Sequence, residues 1–284
     1  MHIVVCMKQV PDSAQIRVHP LTNTIMRQGV PTIINPYDLF AIEEAMRWRD
    51  RFGGEVTVLT MGPPMAEESL RKALTFGVDR AVLLTDRYFA GSDTLATSFA
   101  LAAALRKISQ EFGEPLMVFT GKQTIDGDTA QVGPGIAKRL GLNQLTYVSR
   151  IAELDPVGRR ITVERRAEAG VQVLSTRLPA LITILEGVNE IRRGTLDDAY
   201  RAARAKIVTW SAADAEISDF SKCGLRGSPT IVKKVFAPAP RSERAYQIPA
   251  GDLSMEAIAE KTMQEIFKRK PAIETDLMRF SSGQ

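Results

Sequence analysis

The stretch GKQTIDGDTAQVGPG at residues 121–135 combines short polar side chains with glycines, directly after an apolar run and directly before a helical pattern. That order suits a turn that holds phosphate, because amides left free at a helix start, aided by the positive end of the helix dipole, attract an anion. The loop carries two aspartates and no arginine. Asp128 and Gln131 stand in the D-x-x-Q spacing of a capping box, which predicts a helix from Thr129 and accounts for one of the acids. The amides of Thr129, Ala130, Gln131 and Val132 are then the anion donors, with the Thr129 hydroxyl and the Gln131 amide beside them. Asp126, left over, is suited to accept from a ribose hydroxyl. Gly133-Pro134 removes a donor early in this helix and is expected to bend it.

Other chemistries find no residues. The chain has neither a G-x-G-x-x-G fingerprint nor a Walker lysine motif, and no Ser/His/Asp or Cys/His constellation. Cys6 and Cys223 are far apart, and His2 and His19 lack metal-ligand spacing, so no zinc site is expected. With 37 basic and 33 acidic residues the formal charge is +4, spread without basic blocks, which argues against nucleic acid. The amino terminus MHIVVCMKQVP lacks a basic leader and reads as a first strand. The most apolar helical stretch, SFALAAAL at 98–105, falls short of the roughly 20 residues of a membrane span. The expectation is a cytoplasmic protein, not membrane-embedded.

A chain of 284 residues, 44% hydrophobic and 25% charged, is sufficient for a large core. Continuous apolar runs at 2–7, 55–61, 81–85, 116–120, 179–184 and 206–210 read as strands covered on both faces. Between them, one helix is expected after Asp38 as N-cap, ending at Gly53-Gly54, and another from Asp93 to Gly113. Residues 16–28 and 146–178 read as antiparallel hairpins, the second turning at 155–158 and again near 169–170. The fold class is therefore α/β: a Rossmann-like, open, mainly parallel sheet with helices on both faces and an antiparallel hairpin extension. Beyond Cys223 the periodicity fades into a Pro- and Gly-rich arm, followed by one amphipathic helix, LSMEAIAEKTMQEIFKRK. The division expected is residues 1–222 as a nucleotide-binding domain and 223–284 as an arm that buries Phe236, Tyr246 and Ile248 on a partner.

In open parallel sheets ligands sit beyond the carboxyl ends of strands. The loops there are KQVPD (8–12), NPYD (35–38), GPP (62–64) and the 121–135 loop. Spacing alone supports an adenine-nucleotide or dinucleotide pocket; a merely structural capped helix remains the other reading.

The segments VCMKQVPD, INPYDLFAIEEA, TMGPP, LTFGVDRAVLL, FTGKQTIDGDTAQVGP, VERRAEAGVQVLSTRLPALIT and NEIRRGTL resemble, along almost the whole chain, the β subunit of electron transfer flavoproteins. One departure is Ala169, where the family signature usually has a glycine or an acid. The resemblance implies a bound adenine nucleotide at Cys6, Asn35, Pro36, Tyr37, Asp38, Met61 and Gly62, and at Thr124, Ile125, Asp126, Gly127, Asp128, Thr129, Ala130, Gln131, Val132, Gly133, Pro134 and Gly135. For Cys6 and Met61 the alternative is a strand-end residue packed in the core.

The family has two branches. In one the β pocket holds AMP as a structural ligand; in the other it holds FAD, which takes hydride from NADH and bifurcates the electrons. DGDTAQVGPGIAKRLG and CGLRGSPTIVKKVF resemble the bifurcating, nitrogen-fixation-associated branch. Gly127 leaves room beside the phosphates for a diphosphate, and Ser228, in the GSPT turn, is expected to border the flavin end. The implied partners are an α subunit, a flavoprotein quinone oxidoreductase or acyl-CoA dehydrogenase-type protein, and ferredoxin or flavodoxin; a quinone-reducing partner would bring the protein to a membrane surface. Leu196 falls where the family presents an apolar residue to dehydrogenase partners; the alternative is the first core residue of a helix capped by Thr195. A rival of another class is an adenine-nucleotide-binding signalling module of the universal-stress type.

Overall fold

The structure, a computed structural model, describes residues 1–12, 17–18, 25–26, 31–230, 247–248, 251 and 253–281. The chain forms two compact units, Met1–Ala237 and Pro238–Gln284. Residues 223–230 belong to the first, where Cys223, Gly224 and Ser228 are buried.

The first unit is built on a nine-stranded sheet. Five form its parallel centre: β1 (His2–Cys6), β6 (Glu55–Met61), β7 (Arg80–Leu84), β8 (Met117–Gly121) and β12 (Ala180–Ile184). β13 (Val208–Trp210) adds a parallel edge strand. On the other side β9 (Asn143–Asp155) pairs parallel with β12, then antiparallel with β10 (Arg160–Ala167), which pairs antiparallel with β11 (Gly170–Arg177). The order is β11-β10-β9-β12-β8-β1-β6-β7-β13. Two small antiparallel pairs lie outside this sheet: β2 (Gln9–Pro11) with β5 (Thr32–Ile34), and β3 (Arg17–Val18) with β4 (Ile25–Met26). Both expected hairpin regions thus contain antiparallel pairs.

The apolar runs became strands because both their faces are covered. Along β1, Ile3 and Val5 enter one core with α1 (Pro36–Phe52), α2 (Glu67–Leu74) and α5 (Leu196–Arg204). Val4 and Cys6 enter a second core with α3 (Thr94–Phe112) and α4 (Val132–Leu140). The period of two along a strand therefore feeds two helical layers. β9 departs from that period: its buried residues Leu145, Val148, Ile151 and Leu154 recur every third position. Register shifts on both sides of the strand and the left-handed Tyr147 (φ 57) supply the extra residues, so the strand bends from the parallel centre into the antiparallel extension.

Two helix starts differ from expectation. α1 starts at Pro36 with Asn35 as N-cap, so Asp38 lies inside the first turn. Proline at the first helical position is pre-set for a helix and gives up only an N–H that would be unpaired there, which moves the start upstream of Asp38. α4 starts at Val132, not Thr129, and Pro134 falls in its first turn, where the missing donor costs nothing and bends nothing. The α3 boundaries, Asp93 as N-cap and Gly113 at the end, are as expected.

In the second unit, α6 (Met255–Arg269) is the expected amphipathic helix. A further helix, α7 (Pro271–Ser281), was not expected. The break between them is local: Lys270 precedes Pro271 and leaves the helical region at φ −138, ψ 72. Ile248 is partly buried, whereas Phe236 and Tyr246 lie outside the described residues. Among the described residues no helix is long and apolar enough to cross a membrane.

Candidate functional site

From β1 the chain proceeds to β6 and β7 on one side, then returns to place β8 on the other side of β1. The reversal makes the carboxyl ends of β1 and β8 the switch point, where a crevice opens between diverging loops. The loops that meet there are residues 7–9, the start of α1, and residues 121–131.

Asn35 and Asp38 join these loops. Lys8 N–H donates to Asp38 Oδ2 at 2.8 Å, and Gly121 N–H donates to Asp38 Oδ1 at 3.0 Å. One carboxylate thus ties together the residues at the ends of both switch-point strands. Asn35 N–H donates to the Lys8 carbonyl at 2.9 Å, its Nδ2 donates to the Gln123 carbonyl at 2.9 Å, and its Oδ1 accepts from Ile125 N–H at 3.1 Å. Asp38 is 4% and Asn35 0% exposed, so their side chains brace the crevice from inside the core. Burial pushes the Asp38 carboxyl up to about 7, against the bonds from Lys8, Asn35 and Gly121 that favour its charge. Burial, helped by Asp38, pushes the neighbouring Cys6 thiol up to about 12, so it stays neutral.

The 121–131 loop is folded by its own polar groups. Asp128 does not cap a helix: it lies in the left-handed region (φ 51), its N–H donates to the Thr124 carbonyl at 2.9 Å, and its carboxylate accepts from Gln123 Nε2 at 2.8 Å. The D-x-x-Q spacing fails because Gln131 Oε1 accepts from Thr94 Oγ1 at 2.9 Å, a residue of α3. Ala130 is also left-handed (φ 54), and α4 then opens with Gln131 as N-cap and no side-chain cap bond. Left-handed residues on both sides of Thr129, ahead of an uncapped helix, form a turn whose amide donors are available to an anion. Asp126 is held by Lys8, whose ammonium reaches its two oxygens at 2.9 and 2.7 Å. Burial opposes the Asp126 charge, but Lys8 and Thr124 outweigh it and hold the carboxyl below the usual range.

Other residues named from the sequence have packing roles. Cys6 is buried, and Met61 packs against the same core. Gly62 N–H donates to the Leu84 carbonyl at 3.1 Å. Pro36 opens α1, and the ring of Tyr37 lies under the Lys122 ammonium at 4.6 Å. Gly133 and Gly135 let α4 approach its neighbours: a Cβ at Gly135 would stand 2.8 Å from Ser98 of α3. A Cβ at Gly127 would meet only Thr124 Oγ1, in ordinary contact at 3.5 Å. The Ser228 hydroxyl accepts from Asp93 N–H at 2.8 Å and donates to the Gly224 carbonyl at 2.7 Å. With Thr230 Oγ1 bonded to Asp93 Oδ2 at 2.8 Å, it fastens this segment to the start of α3.

No motif in the sequence singles out Lys8, which the fold brings to Asp126. The signal available was its place two residues beyond β1, the strand that the switch point turns on. Two cavities lie elsewhere: one of about 460 Å³ between β5, α1 and α2, and one of about 320 Å³ beside Trp48.

Leu196 begins α5 and is 74% exposed, so it is not a core residue. Thr195 and Asp198 form a complete capping box beneath it. The loop before it is clamped to α1: Arg192 bonds both oxygens of Glu43, at 2.8 and 3.0 Å, and Asp50 at 2.8 Å. Tyr200, one turn on, is 58% exposed. Together they present an apolar pair on a rigid base.

A family model described as the electron transfer flavoprotein domain matches residues 22–215. A protein named FixA from Azorhizobium caulinodans is 72% identical over 283 residues, covering 100% of both chains. Another from Azotobacter vinelandii is 61% identical over 279 residues, 98% of this chain and 99% of its own. An electron transfer flavoprotein subunit beta from Clostridium acetobutylicum is 46% identical over 234 residues, 82% of this chain and 87% of its own. The signalling-module reading has no counterpart among these.

Proposed function

The chain belongs to the electron transfer flavoprotein family, as an electron-transfer subunit of the β type, and from that premise we propose that its switch-point crevice holds FAD in a heterodimer that takes electrons from NADH and bifurcates them. The proposed acceptors are a quinone-linked oxidoreductase, reached through the α subunit, and ferredoxin or flavodoxin. The resemblance to the nitrogen-fixation-associated branch supports placing this low-potential reduction in the service of nitrogen fixation.

The observation that carries the nucleotide reading is the uncapped start of α4 behind the left-handed Asp128 and Ala130, at the switch point of the sheet. The residues present fit the group. Amides of residues 129–133 face no capping side chain of their own helix, a Cβ at Gly127 would meet only Thr124 Oγ1, and we assign Asp126 to the ribose. Asn35 and Asp38 brace the loops and leave the contacts to backbone. When bound, the flavin supplies acceptance of a hydride and release of its electrons singly; the chain supplies binding, orientation and electrostatics, and needs no nucleophile.

The terminal unit supports a partner. Met255, Met263, Ile273, Leu277 and Phe280 of α6 and α7 are 41–91% exposed, apolar area that a second subunit would cover. We assign the second unit, Pro238–Gln284, to contact with the α subunit, and Leu196 to a redox partner.

Coexpression with the α subunit, followed by denaturation and quantification of released nucleotide, tests the reading. Two FAD per heterodimer and little AMP are expected. One FAD and one AMP would make this chain the structural half of an ordinary carrier, and no nucleotide beyond a single FAD would remove the site.

A further inference from the structure

The loop that meets the nucleotide has acids and no arginine, and the tertiary structure brings it a cation from far along the chain. Lys8 is held at its backbone on both sides: its N–H by Asp38 and its carbonyl by Asn35. Those partners are buried, so the root of the side chain is fixed. Its head is not, because the side chain is 46% exposed and ends on Asp126. The other lysine at these strand ends, Lys122, is 15% exposed, paired with Glu186 at 3.0 Å and lying over the Tyr37 ring.

We propose that Lys8 is the phosphate cation of this site: on binding of an adenine nucleotide its ammonium passes from Asp126 to the phosphate, and Asp126 is released to the ribose. The inference rests on the nucleotide reading above and adds a residue to it. An ion pair this exposed is weak and screened by salt, so leaving it costs little. A phosphate offers an ammonium at least as much charge: a monoester such as AMP presents three acceptor oxygens, and each phosphate of a dinucleotide two. Without Lys8, a phosphate would enter beside Asp126 and Asp128 with only backbone dipoles to offset their charge. Because Asn35 suspends residues 123–125 from the same buried anchor that holds Lys8, the ammonium and Asp126 stay close while the exchange proceeds by side-chain rotation alone.

The test compares AMP with adenosine, which has no phosphate. The full chain, in complex with the α subunit where it is obtained so, is stripped of nucleotide and titrated calorimetrically with each at low and high salt, as wild type, Lys8→Met and Lys8→Arg. Lys8→Met is expected to lose about ten- to a hundredfold in AMP affinity and less than about twofold in adenosine affinity. Lys8→Arg should retain most of the AMP affinity. Equal losses for both ligands would mean that Lys8 acts only on loop shape, and no loss for either would mean that its ammonium stays on Asp126; both overturn the proposal. Wild type gives an independent check should Lys8→Met not fold: AMP must bind more tightly than adenosine by a margin that shrinks with salt, and equal affinities overturn the proposal. If wild type binds neither ligand, the nucleotide reading fails first.

Discussion

Asp38→Asn keeps the shape of the residue that braces the crevice and removes its charge. In the wild type both carboxylate oxygens accept, from Lys8 N–H and Gly121 N–H, on a residue 4% exposed. An asparagine offers one acceptor and turns its NH₂ toward the other N–H, leaving a buried donor unpaired at a cost of about 1–3 kcal/mol. Against this stands the cost of keeping the wild-type charge in the core. The carboxyl lies at about 7 in the folded state against an ordinary 3.8, so the folded form holds a proton that the unfolded chain releases between those values. Stability from this group is therefore full below about pH 4, falls as pH rises, and by pH 8 is lower by about 4 kcal/mol. Asparagine has no such dependence. Near pH 5, where the wild-type carboxyl is itself protonated and only one of its oxygens accepts well, the two proteins should differ by no more than about 1 kcal/mol, and by pH 8 the variant should be the more stable. Urea unfolding of the full chain between pH 5 and 8.5, followed by the fluorescence of Trp48 and Trp210, measures the gap; other titrating groups are common to both proteins and cancel. A gap that stays constant over that range would refute the placement of Asp38's titration, and with it the claim that burial outweighs its two backbone bonds.

Gly194→Ala would drive a Cβ into the Thr75 carbonyl oxygen, and should destabilise the chain by more than about 3 kcal/mol in the same assay. Leu196→Ala, at a site 74% exposed, should change stability by less than about 0.5 kcal/mol while slowing electron transfer with the redox partner; an unchanged transfer rate would return Leu196 to a surface residue without a role. Asp93→Ala removes the α3 cap to Leu95 and Ala96 and the bonds to Thr230, for about 1–2 kcal/mol near neutral pH. Burial works against the Asp93 charge, but bonds from Ala96, Thr230 and Leu95 hold its carboxyl below the usual range, so this advantage is present above about pH 4 and is lost as pH falls further. The gap between wild type and Asp93→Ala should narrow in acid.

Much of the molecule was legible in its residues. Apolar runs marked each strand of the parallel centre, and Asp93 and Gly113 bounded α3, because strand burial and helix caps are decided within a few positions of the chain. The choice of loops also followed from sequence, since a parallel sheet fixes which strand ends open outward. Misreadings came where a polar side chain had two possible destinations. Asp38 and Asp128 both stand in good N-cap positions, yet one turns into the core to Lys8 and Gly121 and the other closes a turn with Thr124 and Gln123.

Sequence by itself determined the alternation of strands and helices, the crevice loops and the family, each carried by patterns that repeat within a few residues. The tertiary structure decided what the charged groups do there. Asp38 bonds partners 30 and 83 positions away, and Lys8 meets Asp126 across 118. Such pairings depend on which strand ends the sheet brings side by side, and the energy of a buried carboxylate or a shared ammonium depends on neighbours that no local spacing contains.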